Sequence, residues 1–205
     1  MSQLGIAFEE KLVPFRGVTN AEAFSKFAPN SKVPCLHDDQ RVIWDSLAIC
    51  EYLAEQHAGV WPKDKDARAW ARCASAEMHS GFNGLRTVCG MTVGVRFALH
   101  EKSAELVADV NRIDELFNEG IDKFGGPFLA GSEFSAVDAF FAPVVFRCRS
   151  FDLPLSPKAL AYCERILGLN AMVKWEQEAL AEPWRDADHE EEMLQYGEVT
   201  ADYRS

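Results

Sequence analysis

Ser31-Lys32-Val33-Pro34-Cys35-Leu36 and, just beyond it, Ile43-Trp44-Asp45-Ser46-Leu47-Ala48-Ile49 decide the fold. A proline sits at the mouth of a short apolar run. The polar residues His37-Asp38-Asp39-Gln40 then make a turn, and a second short run, Arg41-Val42-Ile43-Trp44, leads into an acid and a hydroxyl. After them the apolar residues recur at helical spacing: Leu47, Ile49, Cys50, Leu53 and Ala54. The pattern predicts strand, turn, strand, helix, with Asp45-Ser46 at the helix entrance and the helix running to about His57. Gly59 and Pro62 are its stop signals.

Upstream, Leu4-Gly5-Ile6 reads as a helix end with Gly5 in the stop position. Residues 8–13 alternate enough to predict a strand, ended by Pro14. Thr19-Asn20-Ala21-Glu22 fits a capping box and predicts a short helix over 21–27. Downstream, residues 60–65 read as a linker, after which no strand signal is convincing. One long helix is expected over 66–89, an irregular break over 90–97, and a second long helix over 103–124 ended by Gly125-Gly126-Pro127. Ser135 and Asp138 are spaced as a reciprocal cap for a nearly all-apolar, central helix reaching about Phe151. Two more helices are expected over 157–167 and 171–181. A small α/β unit followed by an all-helical unit is the resulting order.

Hydrophobic residues make up 48% of the 205, enough for a packed core. The net charge of −11 is unevenly spread: residues 176–205 hold ten acidic residues against two basic ones, and read as a solvated tail. No basic stripe is present to neutralise phosphates, so nucleic-acid binding is disfavoured. The longest apolar run, over 139–146, is far too short to cross a bilayer, and Glu9, Glu10 and Lys11 stand where a signal peptide needs apolar residues. Cys35, Cys50, Cys73, Cys89, Cys148 and Cys163 form no C-x-x-C pair and no metal-ligand spacing. They read as free thiols of a reducing, cytoplasmic compartment. His189 with Glu190, Glu191 and Glu192 is read as part of the solvated tail, not as a metal site.

Ser31-Lys32-Val33-Pro34 and Asp45-Ser46 at this spacing resemble the cytosolic glutathione S-transferases, and Phe134-Ser135-Ala136-Val137-Asp138 resembles the helix-capping motif of their helical domain. The stretch Ser75-Ala76-Glu77-Met78-His79-Ser80-Gly81-Phe82-Asn83-Gly84-Leu85-Arg86 is similar to one found in a bacterial branch. The resemblance implies a thioredoxin-like domain over 1–59, a linker over 60–65 and an all-helical glutathione-transferase C-terminal domain over 66–205. It implies a glutathione site built by Lys32, Val33, Pro34, Asp45 and Ser46. The backbone of Val33, before a cis proline, would pair with the tripeptide as an added strand. Asp45 would hold the α-ammonium, Ser46 at a helix N-terminus the α-carboxylate, and Lys32 the glycyl carboxylate. Taken singly, each fits a plain structural role too: Asp45 a helix cap, Pro34 a strand start, Lys32 a solvated cation. Ser135 and Asp138 are expected to be structural. Cys35 is expected to be a buried strand cysteine, since no second cysteine or cation is apparent beside it. His79 and Arg86, seven apart and so sharing one face of the expected helix, are candidates for the second substrate.

The family opens with a strand, a turn carrying an activating Ser, Tyr or Cys, and a full first helix, whereas this chain starts near the end of that helix. The expected N-terminal domain is therefore a truncated one. The activating Ser, Tyr or Cys is expected ahead of Met1, leaving no catalytic residue among those present. Three explanations stand for the gap between strands 8–13 and 34–37: a longer natural protein, which is favoured; a gap filled by the segment 197–203 or by a partner chain; or a truncated form with a non-catalytic role. The expected function is conjugation of the glutathione thiol to a small electrophile by a homodimer, with glutathione as co-substrate and no metal, and with reduced or absent activity in the chain as it stands. The alternatives are a non-catalytic ligand- or partner-binding protein and a glutathione-dependent isomerase.

Overall fold

The computed structural model describes residues 1–15 and 20–204. The run after Pro34 forms strand β1 (Cys35–Asp38), which turns through Asp39 and Gln40 into strand β2 (Arg41–Trp44). The pair is antiparallel, Cys35 opposite Trp44 and Asp38 opposite Arg41. Helix α1 (Asn20–Phe24) precedes it and helix α2 (Ser46–Ala54) follows. The first is shorter than expected and continues only as a turn to Phe27; Thr19 of its expected cap lies outside the described residues.

The helix end expected around Gly5 is a tighter, 3-10 turn (Ser2–Leu4). The Met1 carbonyl accepts the N–H groups of Leu4 at 3.0 Å and Ile6 at 3.2 Å, and Gly5 stops the turn at a φ of 65°. The strand expected over 8–13 is not formed. Those residues have no regular structure and no ladder partner among the described residues, and Phe8, Leu12 and Phe15 are exposed. Alternation makes a strand only where a neighbour supplies the other half of each backbone hydrogen bond.

Helix α3 (Lys65–Ser80) is capped by Asp64, which accepts the N–H groups of Asp66 and Ala67. The single helix expected over 66–89 is in fact two. The chain breaks at Gly81-Phe82, with Phe82 at a φ of 57°, and resumes as α4 (Asn83–Val88). The turn lets α4 lie against helix α5 (Ala104–Phe124): a Cβ on Gly84 would stand 2.6 Å from the Glu105 carbonyl carbon. Helices α6 (Ala136–Ser150), α7 (Pro157–Leu167) and α8 (Asn170–Leu180) follow as expected. Helix α6 is central and nearly all buried, and Phe117, Phe141, Tyr162 and Ile166 close the core around it.

The second half is not wholly helical. Strand β3 (Val95–Leu99), in the stretch expected to be irregular, pairs antiparallel with strand β4 (Gly197–Asp202), with a register shift at Arg96/Phe97. The tail therefore folds back onto the helical half, although most of its side chains stay exposed, and its strand Gly197–Asp202 does not fill the gap beside β1. Helix α9 (Ala187–Leu194) carries the tail back. The His189 Nε2 lies 3.1 Å from the Met91 carbonyl oxygen, and Met193 is buried against Gly90. Its excess acid is partly met internally, since Arg204 pairs with both Glu190 and Asp202. Val60 and Trp61, expected in a linker, are buried, and the Val60 carbonyl accepts the Ala136 N–H at 2.8 Å.

Asp138 lies fully buried at the start of α6. Its carboxylate accepts the Ser135 N–H at 2.9 Å, the Leu129 N–H at 3.0 Å and the Tyr162 hydroxyl at 3.1 Å. Burial outweighs these bonds and pushes its pKa up to about 6. The folded state thus keeps a proton that the unfolded chain releases near its ordinary value. The stabilisation is complete below about pH 4 and is lost as pH rises through about 6. Denaturant unfolding of wild type and Asp138→Asn should show the stability difference shifting against wild type by roughly 2–3 kcal/mol between pH 4 and pH 7.

Candidate functional site

Three local features meet at the mouth of the β1–β2 hairpin. The Val33-Pro34 bond is cis. Ser31 takes a φ of 54°, and the Lys32 N–H donates to Asn30 Oδ1 at 3.1 Å, so a side-chain turn bends the chain ahead of the proline. The Val33 backbone pairs with no other described residue, and Val33 is 39% exposed. A stretch of backbone is thus left unpaired at the start of a sheet.

Asp45 stands at the other side of this mouth. It holds a φ of 75° with ψ at 129°, a positive-φ conformation outside the left-handed helical region. Its two carboxylate oxygens have different partners. Oδ1 accepts the Leu47 N–H at 2.9 Å, capping α2, and Oδ2 accepts from His79 Nε2 at 3.0 Å. Because a carboxylate only accepts, the hydrogen of this bond is on Nε2. Ser46 opens α2 beside it. Lys32 is exposed on the hairpin side, and Cys35 is half-buried with its thiol donating to the Phe27 carbonyl at 3.4 Å. Burial pushes that thiol up, away from a reactive thiolate.

Met1 is partly buried and packs on the main core cluster together with Leu4 and Ile6. The hydroxyl residue that follows it, Ser2, lines a shallow hollow with Asn170 and Lys174 of α8, and Ser2–Leu4 lies against that helix. The chain start is thus tied to the helical half.

His79 and Arg86 do not share a helix face, because the helix breaks between them. His79 ends α3, faces Asp45, and meets the Phe140 ring edge-on at 6.1 Å between centroids. Arg86 folds back on α4 and spends Nε and Nη2 on the carbonyls of Gly81 and Met78, bracing the corner. The contact that sequence reasoning missed is His79 with Asp45. No spacing signal reports it, since the two residues are 34 apart and meet only when α2 docks on α3. The Asn30 turn was legible, as an Asn two residues before the bonded N–H is a common turn device. A second tie crosses the same seam, Arg72 gripping Glu51 with two bonds of 2.8 Å.

Family models for the N-terminal and C-terminal domains of glutathione S-transferase match residues 1–56 and 100–165, more than half of the chain between them. The chain belongs to the glutathione S-transferase family. Its relatives include a Caenorhabditis elegans protein named "probable maleylacetoacetate isomerase", 28% identical over 74% of this chain and 72% of the relative. A maleylacetoacetate isomerase from Rattus norvegicus is also 28% identical, over 71% of this chain and 67% of its own length. Among solved structures, a Burkholderia glutathione transferase homolog with bound glutathione superposes with a TM-score of 0.63 at 24% identity, covering 87% of this chain and 88% of that one. Glutathione S-transferase 1-6 from Anopheles dirus gives 0.65 at 18%, covering 86% and 85%. These likenesses establish the transferase fold, a small thioredoxin-like α/β portion followed by a helical one. No described helix is long and apolar enough to cross a membrane.

The Asp45 geometry has a measurable structural consequence. Asp45→Ala removes the α2 cap and places alanine at a positive φ, so it should lower unfolding stability by about 1–2 kcal/mol. Asp45→Asn, which keeps a capping oxygen and tolerates that backbone, should lose less than half as much in urea unfolding.

Proposed function

We propose that this chain binds glutathione across the mouth of the β1–β2 hairpin and joins its thiol to a small electrophile. The observation that carries the reading is the free Val33 backbone standing beside a capped helix entrance whose acid remains partly exposed. A tripeptide supplies the strand that Val33 lacks, since main-chain pairing gives affinity without demanding particular side chains. The α-carboxylate of the γ-glutamyl end suits the positive end of α2 at Ser46. Its ammonium suits Asp45, and the glycyl carboxylate at the far end suits the exposed Lys32. The electrophile is placed against the wall formed by His79 and Phe140, with Arg86 bracing that wall from behind. None of the residues named here takes the role of activating the thiol. The same reading makes the assembly a cytoplasmic homodimer.

A second reading is favoured by the relatives named maleylacetoacetate isomerase: the same glutathione site serving an isomerisation in which the thiol is regenerated. The two differ in what happens to glutathione, which conjugation consumes and isomerisation does not. Titration calorimetry should show glutathione binding, and Asp45→Ala should weaken it by about tenfold or more, the loss of one charge-assisted contact. Assays with an aryl halide and with maleylacetoacetate then separate transferase from isomerase. Binding without either reaction points to a ligand-binding role, and folded protein that binds no glutathione overturns the site.

A further inference from the structure

We infer that His79 is a positioning residue for glutathione: from the helical half it fixes the Asp45 carboxylate in the orientation that receives the α-ammonium. The inference rests on the glutathione reading above and adds a residue to it. A carboxylate offers about four lone-pair directions. Two are taken here, one on each oxygen, by the Leu47 N–H at 2.9 Å and by His79 Nε2 at 3.0 Å. One direction on each oxygen stays open, and the Asp45 side chain keeps 43% of its surface exposed. The Leu47 bond alone would leave the carboxylate free to swing about its last torsion. The His79 bond removes that freedom, because it holds the second oxygen from a different helix.

His79 is itself held. It sits at the last turn of α3, with its ring edge against Phe140 of α6. A ring fixed on two packed helices is a firmer anchor than a flexible side chain, and a group pre-set for its ligand loses less freedom on binding. The placement also divides the labour across the seam. The hairpin half supplies the acid and the free backbone, and the helical half supplies the bond that aims the acid. Arg72 with Glu51 ties the same two helices without touching Asp45, which gives a natural control.

The test measures glutathione affinity by calorimetry in wild type, His79→Ala, His79→Gln and Arg72→Ala, and repeats it with the analogue that lacks the α-amino group, glutaryl-cysteinylglycine. His79 is partly exposed, so His79→Ala is expected to fold, which its circular dichroism checks. His79→Ala should weaken glutathione binding about five- to tenfold, the size expected for a hydrogen bond to a charged group. His79→Gln, which restores an N–H donor at similar reach, should recover most of that affinity, and Arg72→Ala should leave it unchanged. With the analogue, wild type and His79→Ala should bind equally, because there is no ammonium to be received. If His79→Ala binds glutathione as wild type does, or loses the same factor with the analogue, the positioning role is overturned while the site stands. If wild type binds no glutathione, the reading of the site falls and this role falls with it.

Discussion

The buried carboxylate of Asp138 is the constraint on which the rest of the molecule depends. It gathers the Ser135 N–H, the Leu129 N–H and the Tyr162 hydroxyl, donors from the start of α6, the loop before it and α7. A charge taken out of water is costly unless such bonds replace its hydration, so the three segments are tolerated only in the arrangement that satisfies it. That arrangement sets where α6 begins. One residue after the Ser135 cap, the Ala136 N–H reaches the Val60 carbonyl, and the chain crossing from the hairpin half is pinned at the same point. From there Trp61 turns inward and α3 runs along α6, ending at His79. The geometry at Asp45 is thus inherited from a buried acid in the other half of the chain.

The hairpin half has little core of its own. Phe24 and Ala28 are buried locally, with Phe24 edge-on to Phe15 at 5.5 Å, and Leu53 instead joins the main cluster of the helical half. Val42 and Trp44 on β2 remain exposed. Most of what this half buries it buries against α3 and the Val60-Trp61 crossing. Apolar contact there, rather than a self-sufficient sheet, gives the half its position. The helical half also packs on itself, since Ile113, Phe117 and Tyr162 join one cluster with Phe141 of α6.

The parts of this design that sequence could disclose are the local ones. The β1–β2 hairpin, its turn and the Asp45 cap follow from residues within a few positions of one another, and the structure has them where alternation and capping chemistry put them. Ser135, spaced with Asp138 as a reciprocal cap, likewise announces α6. Reading failed where the deciding partner was distant. Residues 8–13 alternate, yet no neighbouring strand among the described residues completes them. Residues 95–99 alternate just as well and do become a strand, because 197–202 returns to pair with them from the far end of the chain. The folding back of the acidic tail was not legible because charge counts ignore Arg204, which draws Glu190 and Asp202 together. The break at Phe82 was hidden for another reason. Apolar spacing continues across it, and a left-handed phenylalanine has no sequence signature beyond the preceding Gly81.

The site divides the same way. Val33, Pro34, Asp45 and Ser46 could be picked out because they lie along one short stretch, whereas the His79 contact exists only after docking. Its energetics suggest what it is for. The two polar ties across the seam, His79–Asp45 and Arg72–Glu51, are both more than a third exposed, and ties of that kind add little to stability. Burial of Leu53, Val60 and Trp61 holds the seam, and the His79 bond aims the Asp45 carboxylate. An interaction that contributes little strength but fixes direction has its largest effect where direction matters most, at a carboxylate left half open beside an unpaired strip of backbone.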